Sequence, residues 1–273
     1  NKTIMKRKVA IGKIEYGSGS IPLIAGPCVI ESRDHSLKMA EAIRSITDSL
    51  GIPFIYKSSF DKANRTAANS FRGPSIDEGL SILSDIKKEI NVPVLTDVHL
   101  PDQCGLVAEV VDILQIPAFL CRQTDLLIAA GETGKVVNIK KGQFLAPAKM
   151  MFAAEKVAST GNENILLTER GTSFGYDLVS DMTSIPVMQS SGYPVVFDAT
   201  HSSQVPGVDS STGGQREMIP ILAKSAVAAG CDGLFMEVHD NPKLAKSDSS
   251  TQWPLDQLED LLTIIKKIFD SIK

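Results

Sequence analysis

The stretch PLIAGPCVIESRDHSLKMAEAIRSITDSLG, residues 22–51, contains the pattern that decides the fold. A short apolar run, PLIAGPC, gives way to a polar turn and then to a segment with the apolar spacing of an amphipathic helix. Ser32 or Asp34 can cap the start of this helix, and Gly51 can end it. The stretch therefore predicts one strand followed by one helix, with Cys28 at the junction between them.

The same order of strand, loop and helix recurs along the chain. The apolar runs are short and nearly continuous, which is typical of parallel strands that are buried on both faces. The later units begin at the runs PFIYKSSF, PVLTDVH, DILQIPAFL, VVNIKKGQF, ILLTERG, PVVFDATHS and GLFMEVHDN. Eight such units in about 250 residues predict a TIM (β/α)8 barrel. A doubly wound open sheet is the alternative, although its first turn is usually GxGxxG and this chain has Gly-Pro-Cys there.

The segment before the first unit, residues 1–18, is short and has its own pattern. It includes most of KVAIGKIEYGSG, which alternates in polarity like a small β-hairpin. We expect this hairpin to close the bottom of the barrel. Because no linker or low-complexity tract interrupts the chain, we interpret residues 1–273 as one TIM-barrel domain.

The overall composition restricts the classes of function. Of 273 residues, 43% are hydrophobic and 22% are charged, as in an ordinary globular protein, and the formal net charge is −4. This charge gives no reason to expect nucleic acid or an anionic membrane as a partner, so an anionic ligand needs a local basic pocket. The cysteines form no CxxC pair, and we therefore expect reduced thiols in the cytoplasm.

Polar or reactive side chains stand at the predicted carboxyl ends of all eight strands. In a TIM barrel, these ends carry the active site. Any one such residue could be only a cap or a loop residue, but eight together indicate function. In chain order they are Cys28, Lys57, Asp97, Gln115, Lys140, Arg170, His201 and Glu237.

Several cations lie at these strand ends or in the loops that follow them. They are Lys57, Lys62, Arg65, Lys140 and Arg170. Their convergence in a protein of net negative charge predicts a ligand with several anionic groups, such as phosphates and carboxylates. The alternative, solvated surface charge, fits Lys141 and Lys149 better than Lys57, which lies within a strand pattern.

Cys28, His201 and Glu237 belong to the first, seventh and eighth strands, which are consecutive in a closed barrel. Asp248, in the loop after the eighth strand, offers a fourth ligand. A thiolate, an imidazole and carboxylates suit a divalent transition metal better than magnesium or calcium. A nucleophilic Cys–His pair is an alternative, but nearby carboxylates would raise the pKa of the cysteine. The third interpretation is that Cys28 is only a small core residue.

The other histidines and one loop have weaker signals. His99 and His239 lie near strand ends and could support the site, whereas His35 belongs to a helix face. The loop SSQVPGVDSSTGGQRE, residues 202–217, is rich in Gly and Ser and follows His201 directly. Long loops of this kind are candidate lids, and a surface loop without function is the alternative.

Motifs on all eight predicted strands resemble those of the 3-deoxy-D-manno-octulosonate 8-phosphate synthase family. The likeness runs from about residue 8 to the C-terminus and includes IAGPCVIES, YKSSFDKANRT, TDVHLPDQ, LQIPAFLCRQTDLL, NIKKGQFLAP, TERGTSFGY, FDATHSSQ, FMEVHDNP and SDSSTQWPL. The resemblance implies condensation of phosphoenolpyruvate with D-arabinose 5-phosphate, with release of phosphate, in lipopolysaccharide biosynthesis. It also implies a cytoplasmic homotetramer with the TIM-barrel fold.

The resemblance also implies roles for individual residues. The family has a metal-dependent branch with Cys on the first strand and a metal-independent branch with Asn there, and AGPC resembles the first. A metal such as zinc, iron or manganese would be held by Cys28, His201, Glu237 and Asp248. Phosphoenolpyruvate would contact Lys57, Ser59, Lys62, Gln115, Ala118, Lys140 and Arg170. Arabinose 5-phosphate would contact Asn64, Arg65, Thr66 and Asp97. Phe119 and Arg122 would reach a neighbouring subunit's site, and catalytic roles would belong to Lys62, Asn64, His201 and Asp248.

Three other functions remain open from the sequence. The sister 3-deoxy-heptulosonate 7-phosphate synthase, which uses erythrose 4-phosphate, tends to carry KPRT where this chain has KANRT. A Schiff-base aldolase would use Lys57 or Lys140 as its nucleophile. A non-catalytic barrel that senses metal or sugar phosphate is the alternative outside the enzymes, although polar groups on every strand argue against it.

Overall fold

A computed structural model describes residues 7–65, 67–205 and 213–273. Thr66 and the middle of the candidate lid, residues 206–212, lie outside the described residues. The strands are β1 (Val9–Ile11), β2 (Ile14–Tyr16), β3 (Leu23–Gly26), β4 (Phe54–Lys57), β5 (Val94–Asp97), β6 (Ile113–Ile116), β7 (Val136–Lys140), β8 (Ile165–Glu169), β9 (Thr172–Phe174), β10 (Asp177–Val179), β11 (Val195–Asp198), β12 (Gln204–Val205), β13 (Gly213–Gly214), β14 (Gly233–His239) and β15 (Trp253–Pro254). The helices are α1 (Arg33–Leu50), α2 (Ile76–Glu89), α3 (Pro101–Ala108), α4 (Thr124–Glu132), α5 (Met150–Ala158), α6 (Ser184–Gln189), α7 (Ile219–Ala228) and α8 (Leu258–Ser271).

Within the described residues, eight parallel strands close into a barrel. Their order is β3-β4-β5-β6-β7-β8-β11-β14, and β14 pairs with both β11 and β3. Each of these strands is followed along the chain by one of the helices α1 to α8. The predicted TIM barrel is confirmed, and the open sheet is excluded because closure leaves neither β3 nor β14 as an edge strand.

The quoted stretch folds as its pattern predicts. The hydroxyl of Ser32 accepts a hydrogen bond from the backbone N–H of His35, so Ser32 rather than Asp34 caps α1. Gly51 ends the helix in the left-handed conformation, with φ of +65°. Among the described residues, neither α1 nor any other helix combines the length and the apolar character that a membrane span requires.

The N-terminal hairpin packs against the bottom of the barrel, as predicted. β1 and β2 pair antiparallel, and Val9, Ile11 and Tyr16 on them are buried. These side chains form one apolar cluster with residues from every barrel strand: Ile24, Ile55, Leu95, Ile113, Val136, Leu166, Val196 and Phe235. A second cluster fills the layer between the strands and the helices. The hairpin therefore closes the amino-terminal end of the barrel and leaves the carboxyl end for the site.

Candidate functional site

The carboxyl ends of the barrel strands surround a cavity of about 640 Å³. The predicted site residues that line it are Lys57, Lys62, Asn64, Arg65, Asp97, Gln115, Ala118, Phe119, Lys140, Arg170, His201, Glu237 and Asp248. Cys28 and Ser59 are fully buried and are not part of this lining. Arg122 is exposed and also lies outside the lining. Most of the residues selected from the sequence thus share one cavity.

The predicted strand ends need small corrections. Lys57, Asp97 and Lys140 are the last residues of their strands, as expected. The other five are displaced along the chain: Gln115 and Glu237 lie before the ends of β6 and β14, whereas Cys28, Arg170 and His201 lie beyond the ends of β3, β8 and β11. Cys28 and His201 reach the site from short loops because apolar periodicity does not mark where inter-strand pairing stops.

Cys28, Glu237 and Asp248 bring one potential ligand atom each to within 4.8 Å of one another. The Nε2 atom of His201 lies 3.5 Å from Oδ2 of Asp248 and 3.7 Å from Oε1 of Glu237. The second oxygen of Glu237, Oε2, is buried and has no hydrogen-bond partner among the described residues. Because a buried carboxylate oxygen without a partner is costly, this donor set fits a divalent transition metal.

The thiol of Cys28 also favours a metal over a bare nucleophile. Burial raises its pKa well above the usual range, and the negative charges of Asp248 and Glu237 raise it further. A thiolate in these surroundings needs a cation beside it, and metal binding supplies one as the proton leaves. The alternative of an unmetallated Cys–His nucleophile is therefore disfavoured by the geometry.

The backbone around Cys28 is held from two sides. A Cβ atom at Gly26 would lie 2.0 Å from the carbonyl oxygen of Lys57, so glycine is required where β3 approaches β4. The N–H of Cys28 donates to Oε1 of Gln252 at 3.1 Å. Its carbonyl accepts a hydrogen bond from Nζ of Lys57 at 3.0 Å. These contacts fix the turn that directs the thiol toward the carboxylates.

Asp248 belongs to a turn with an unusual backbone conformation. Its φ is +46°, a left-handed value that Asp tolerates better than most residues. The N–H groups of Thr251 and Gln252 each donate to its carbonyl at 3.0 Å. The side-chain amide of Gln252 also donates to the carbonyl of Ser247 at 2.8 Å. The turn therefore holds the carboxylate of Asp248 beside Cys28 at a cost in backbone strain.

Asp198 orients His201 from behind. Its Oδ2 lies 2.7 Å from Nδ1 of His201 and 2.5 Å from Nζ of Lys140. Burial lowers the pKa of His201, but the negative charges of Asp198 and Glu237, with a contribution from hydrogen bonding to Asp198, together raise the pKa overall. Nδ1 of His201 also lies 3.3 Å from Nζ of Lys140. The neighbouring carboxylate favours a proton on Nδ1, which presents Nε2 to the cluster, as carboxylates behind metal-binding histidines do.

The cations occupy different parts of the cavity. Nζ of Lys57 lies 2.9 Å from Oε1 of Glu237, and Nζ of Lys62 lies 3.6 Å from the same oxygen. Arg170 is buried, and one of its nitrogens donates to Oε1 of Gln204 at 2.6 Å. Arg65, in the loop after β4, donates to the hydroxyl of Ser247, in the loop after β14, at 2.6 Å. Together these groups make one pocket that can hold several anionic groups.

A chain of hydrogen bonds crosses the barrel beneath the cavity. Asp97 accepts hydrogen bonds from the hydroxyl of Ser59 and, at 2.6 Å, from the amide of Gln115. Gln115 accepts in turn from the amide of Asn138 at 2.9 Å, and Asn138 accepts from Thr168 at 2.7 Å. The network links the loop after β4 with β5, β6, β7 and β8, and it fixes the side chains of Asp97 and Gln115 that face the cavity.

Comparisons with known proteins identify the family of this chain. The model of the DAHP synthetase I family matches residues 2–273. The chain belongs to this family. A 2-dehydro-3-deoxyphosphooctonate aldolase from Trichlorobacter lovleyi is 58% identical over 261 residues, which cover 94% of this chain and 96% of the relative. A protein with the same name from Acidithiobacillus ferrooxidans is 59% identical, over 92% of this chain and 90% of the relative. Another, from a Cyanothece species, is 61% identical, over 90% of this chain and 91% of the relative.

The names of these relatives test the family resemblance found in the sequence. The name 2-dehydro-3-deoxyphosphooctonate aldolase denotes the 3-deoxy-D-manno-octulosonate 8-phosphate synthase family. The predicted family is therefore confirmed, and so is the prediction that the chain is an enzyme.

One prediction about this member of the DAHP synthetase I family was wrong. Lys141 is fully buried rather than solvated, whereas Lys149 is exposed as expected. Nζ of Lys141 donates to the carbonyl of Gly171 at 2.9 Å and to the hydroxyl of Thr172 at 3.0 Å, and it lies 3.5 Å from Oε1 of Glu169. Its position after Lys140 suggested surface charge, but the loops after β7 and β8 close over it.

The sequence reasoning missed residues that support the site from below. They are Asp198, Gln252 and Asn138, all buried. Asp198 ends a predicted apolar strand, and Asn138 interrupts one, so a polar residue in a buried run was the available signal. Gln252 had no such signal, because its contact with Cys28 joins residues 224 positions apart.

Proposed function

We propose that this chain condenses phosphoenolpyruvate with D-arabinose 5-phosphate to give 3-deoxy-D-manno-octulosonate 8-phosphate and phosphate, in lipopolysaccharide biosynthesis. The observation that carries the proposal is the similarity, at 54–61% identity over most of the chain, to proteins named for this reaction. The chain acts in the cytoplasm, with residues 1–273 as one domain.

The charges of the cavity support this choice of substrates. The two substrates together carry two phosphates and one carboxylate, and the cavity offers converging cations for them. Phosphoenolpyruvate is bound by Lys57, Ser59, Lys62, Gln115, Ala118, Lys140 and Arg170. Arabinose 5-phosphate is bound by Asn64, Arg65, Thr66 and Asp97. In this arrangement, the distal phosphate meets Arg65 on the outer wall, and the aldehyde end points to the centre of the barrel.

The donor set of Cys28, His201, Glu237 and Asp248 supports assignment to the metal-dependent branch, with zinc, iron or manganese as the metal. When bound, such a metal supplies a Lewis acid that can orient and polarise the aldehyde. The carboxylate of Asp198, 2.7 Å from Nδ1 of His201, favours the tautomer with its proton on Nδ1, which leaves Nε2 as the ligand atom.

The reaction requires one new carbon–carbon bond and one water molecule. C3 of phosphoenolpyruvate attacks the aldehyde carbon, water adds at C2 where positive charge develops, and phosphate leaves. The aldehyde oxygen gains a proton, for which Lys62 is the proposed donor, and the amide of Asn64 can donate a hydrogen bond to the same oxygen. The proposed catalytic part of His201 and Asp248 is to hold the metal. Lys57, Lys140 and Arg170 offset the negative charge of phosphoenolpyruvate during the reaction.

The lysines of the cavity are not placed as Schiff-base nucleophiles. Nζ of Lys57 lies 2.9 Å from Glu237, and Nζ of Lys140 lies 2.5 Å from Asp198. Each of these nitrogen atoms is held beside a buried carboxylate and is not directed at a carbonyl group in the open cavity. This geometry favours direct condensation over the aldolase alternative.

The proposed assembly is a homotetramer in which Phe119 and Arg122 contact a neighbouring subunit's site. Phe119 is 55% exposed at the mouth of the cavity, and Arg122 lies on the same loop. An exposed aromatic ring beside a charged residue is typical of an interface, which supports this assignment.

The experiment that tests the function measures phosphate release from phosphoenolpyruvate with arabinose 5-phosphate, with and without a chelator. Parallel reactions contain erythrose 4-phosphate or no aldose. Release that depends on arabinose 5-phosphate supports the proposal. Release with erythrose 4-phosphate alone, or no release with any aldose, would reject it.

Replacement of Cys28 by Asn tests the metal in the same assay. Asn cannot supply a thiolate, but its amide can hydrogen-bond His201 or a water molecule. We expect Cys28→Asn to lose most of its metal yet to keep measurable activity that the chelator no longer abolishes. Cys104→Ala, at a buried cysteine in α3, is the control and should behave like the original chain. If Cys28→Asn holds stoichiometric metal and loses activity in chelator, Cys28 is not a ligand.

A further inference from the structure

A second cluster of potential metal ligands lies outside the lining of the cavity. Glu31, His35 and His239 each offer one ligand atom, and these atoms lie within 4.8 Å of one another. The three residues come from separate segments: the loop after β3, the first turn of α1 and the last position of β14. His239 is buried, and the other two are half-buried. A cation bound here would connect three elements of the fold.

Asp240 lies behind both histidines. Its Oδ1 is 3.0 Å from Nε2 of His35 and 3.2 Å from Nδ1 of His239. Its other oxygen is 2.7 Å from Nζ of Lys38, which favours the ionised carboxylate. One carboxylate can therefore accept an N–H from each imidazole, as carboxylates behind metal-binding histidines do.

If both imidazoles donate to Asp240, these contacts decide where the lone pairs lie. An imidazole that donates from one nitrogen presents a lone pair on the other, which is Nδ1 for His35 and Nε2 for His239. Nε2 of His239 is 3.3 Å from Oε1 of Glu31. Nδ1 of His35 is buried and has no hydrogen-bond partner among the described residues. A lone pair that faces a carboxylate oxygen is unfavourable unless a cation lies between them.

We propose that Glu31, His35 and His239 form a second site for a divalent transition metal, with Asp240 as the acceptor behind the two histidines. Two imidazoles and one carboxylate are a common donor set for zinc, and they leave a fourth position for water. The partly exposed side of the cluster gives the ion a route of entry.

The second site is connected to the loop that carries Asp248. Oε1 of Glu31 accepts a hydrogen bond from the N–H of Lys246 at 2.9 Å, and Lys246 precedes Asp248 by two residues. A metal at Glu31 would hold this loop, α1 and β14 together. We therefore expect a metal at this site to stabilise the fold. Metal binding and melting temperature measure its occupancy without an activity assay.

A second hydrogen-bond pattern needs no metal and is what the experiment must exclude. The N–H of Asn241 lies 2.9 Å from Nδ1 of His239 and 3.1 Å from Oδ1 of Asp240. If it donates to Nδ1, then His239 carries its proton on Nε2 and donates to Glu31. If it donates to Asp240, the lone pair on Nε2 remains available. The two patterns make opposite predictions for metal binding.

The test measures Zn²⁺ binding by equilibrium dialysis in Cys28→Asn and in Cys28→Asn/His35→Leu. We expect the double variant to bind one equivalent less and to lose the rise in melting temperature that Zn²⁺ gives the single variant. Asp240→Asn should weaken binding about tenfold or more, since it removes the acceptor behind the ligands. Asp34→Asn, at an exposed neighbour in α1, is the matched control and should change neither quantity.

Equal stoichiometry and an equal melting shift in Cys28→Asn and Cys28→Asn/His35→Leu would overturn the proposal. Melting of each variant without Zn²⁺ shows that it is folded, and His35→Asn replaces His35→Leu if the latter does not fold. Because no step measures phosphate release, failure here is independent of the proposed condensation.

Discussion

The two ends of the barrel both bury side chains, but these side chains are chemically opposite. At the amino-terminal end, the hairpin residues Val9, Ile11 and Tyr16 cover an apolar layer. At the carboxyl end, the side chains of Lys57 and Glu237 are 1% and 0% exposed and form an ion pair. Burial of apolar surface favours folding, whereas burial of an ion pair seldom does so on balance. The amino-terminal end therefore stabilises the barrel. The burial of charged groups for catalysis at the carboxyl end lowers the stability.

Single strands carry both kinds of surface. Ile55 and Lys57 on β4 are two positions apart and share a face, as do Phe235 and Glu237 on β14. The ring of Phe235 belongs to the lower apolar cluster, and its centroid lies 4.4 Å from Nζ of Lys140 above it. Two residues that follow each other on the same face of one strand thus belong to the apolar layer and to the charged site, respectively.

A truncation in the lower layer should have the largest effect on stability. We expect Ile24→Ala to lower the free energy of unfolding by about 2–5 kcal/mol, because it removes buried methylene groups and leaves a cavity. The activity of the folded fraction should remain unchanged, since Ile24 lies outside the cavity lining. Urea unfolding and phosphate release measure the two quantities. Ile264→Ala, at a 46% exposed position of α8, is the control and should stay within about 0.5 kcal/mol. A catalytic loss in folded Ile24→Ala would contradict the separation of the two ends.

The opposite result is expected for Arg65 at the upper end. Removal of a guanidinium that holds the distal phosphate should raise KM for arabinose 5-phosphate about 10- to 100-fold, or about 1.4–2.8 kcal/mol. KM for phosphoenolpyruvate and the free energy of unfolding should change little in Arg65→Ala. Steady-state kinetics with each substrate varied in turn measure this difference. Arg33→Ala, at an exposed arginine of α1, is the control. Equal changes in both KM values would remove Arg65 from the aldose site.

Low pH should reduce the free energy of unfolding through protonation of Asp97, at the carboxyl end of the barrel. Burial raises the pKa of Asp97, but Lys57, Lys62, His99 and the hydrogen bond from Ser59 together lower it more, so the folded pKa lies below the unfolded value of about 3.9. The resulting stabilisation is complete above the unfolded pKa and is lost as pH falls from about 4 through the folded pKa. We therefore expect the free energy of unfolding to fall less steeply below pH 4 in Asp97→Asn than in the original chain. Urea unfolding at pH 5, 4 and 3 measures the slopes, and Asp34→Asn is the control. Parallel slopes for Asp97→Asn and the original chain would exclude this linkage.

The smallest effect on stability is expected for removal of the Tyr16 hydroxyl group, which lies in the apolar layer. The hydroxyl of Tyr16 is buried and has no hydrogen-bond partner among the described residues, and burial raises its pKa. Removal of a buried polar group without a partner costs little, so Tyr16→Phe should change stability by less than about 1 kcal/mol or increase it. Thermal and urea unfolding test this. A loss well above 1 kcal/mol would show that the hydroxyl has a partner after all.

The sequence by itself determined the barrel and the convergence of its main polar groups. Strand periodicity, the cap at Ser32 and the stop at Gly51 are local signals, because they depend on residues within a few positions of one another. Once eight strand–helix units are counted, closure makes the strands of Cys28, His201 and Glu237 neighbours without any coordinates. The motifs on these strands also predicted the family.

The tertiary structure decided which groups face each other and which are buried. The contact of Gln252 with Cys28, the ion pair of Asp198 with Lys140, and the enclosure of Lys141 by two loops each join groups that no local pattern pairs. The cluster of His35 and His239 is of the same kind. The energy of a charge or a hydrogen bond depends on its distance to a partner and on exclusion of water. Packing sets both quantities, and local sequence patterns do not contain them.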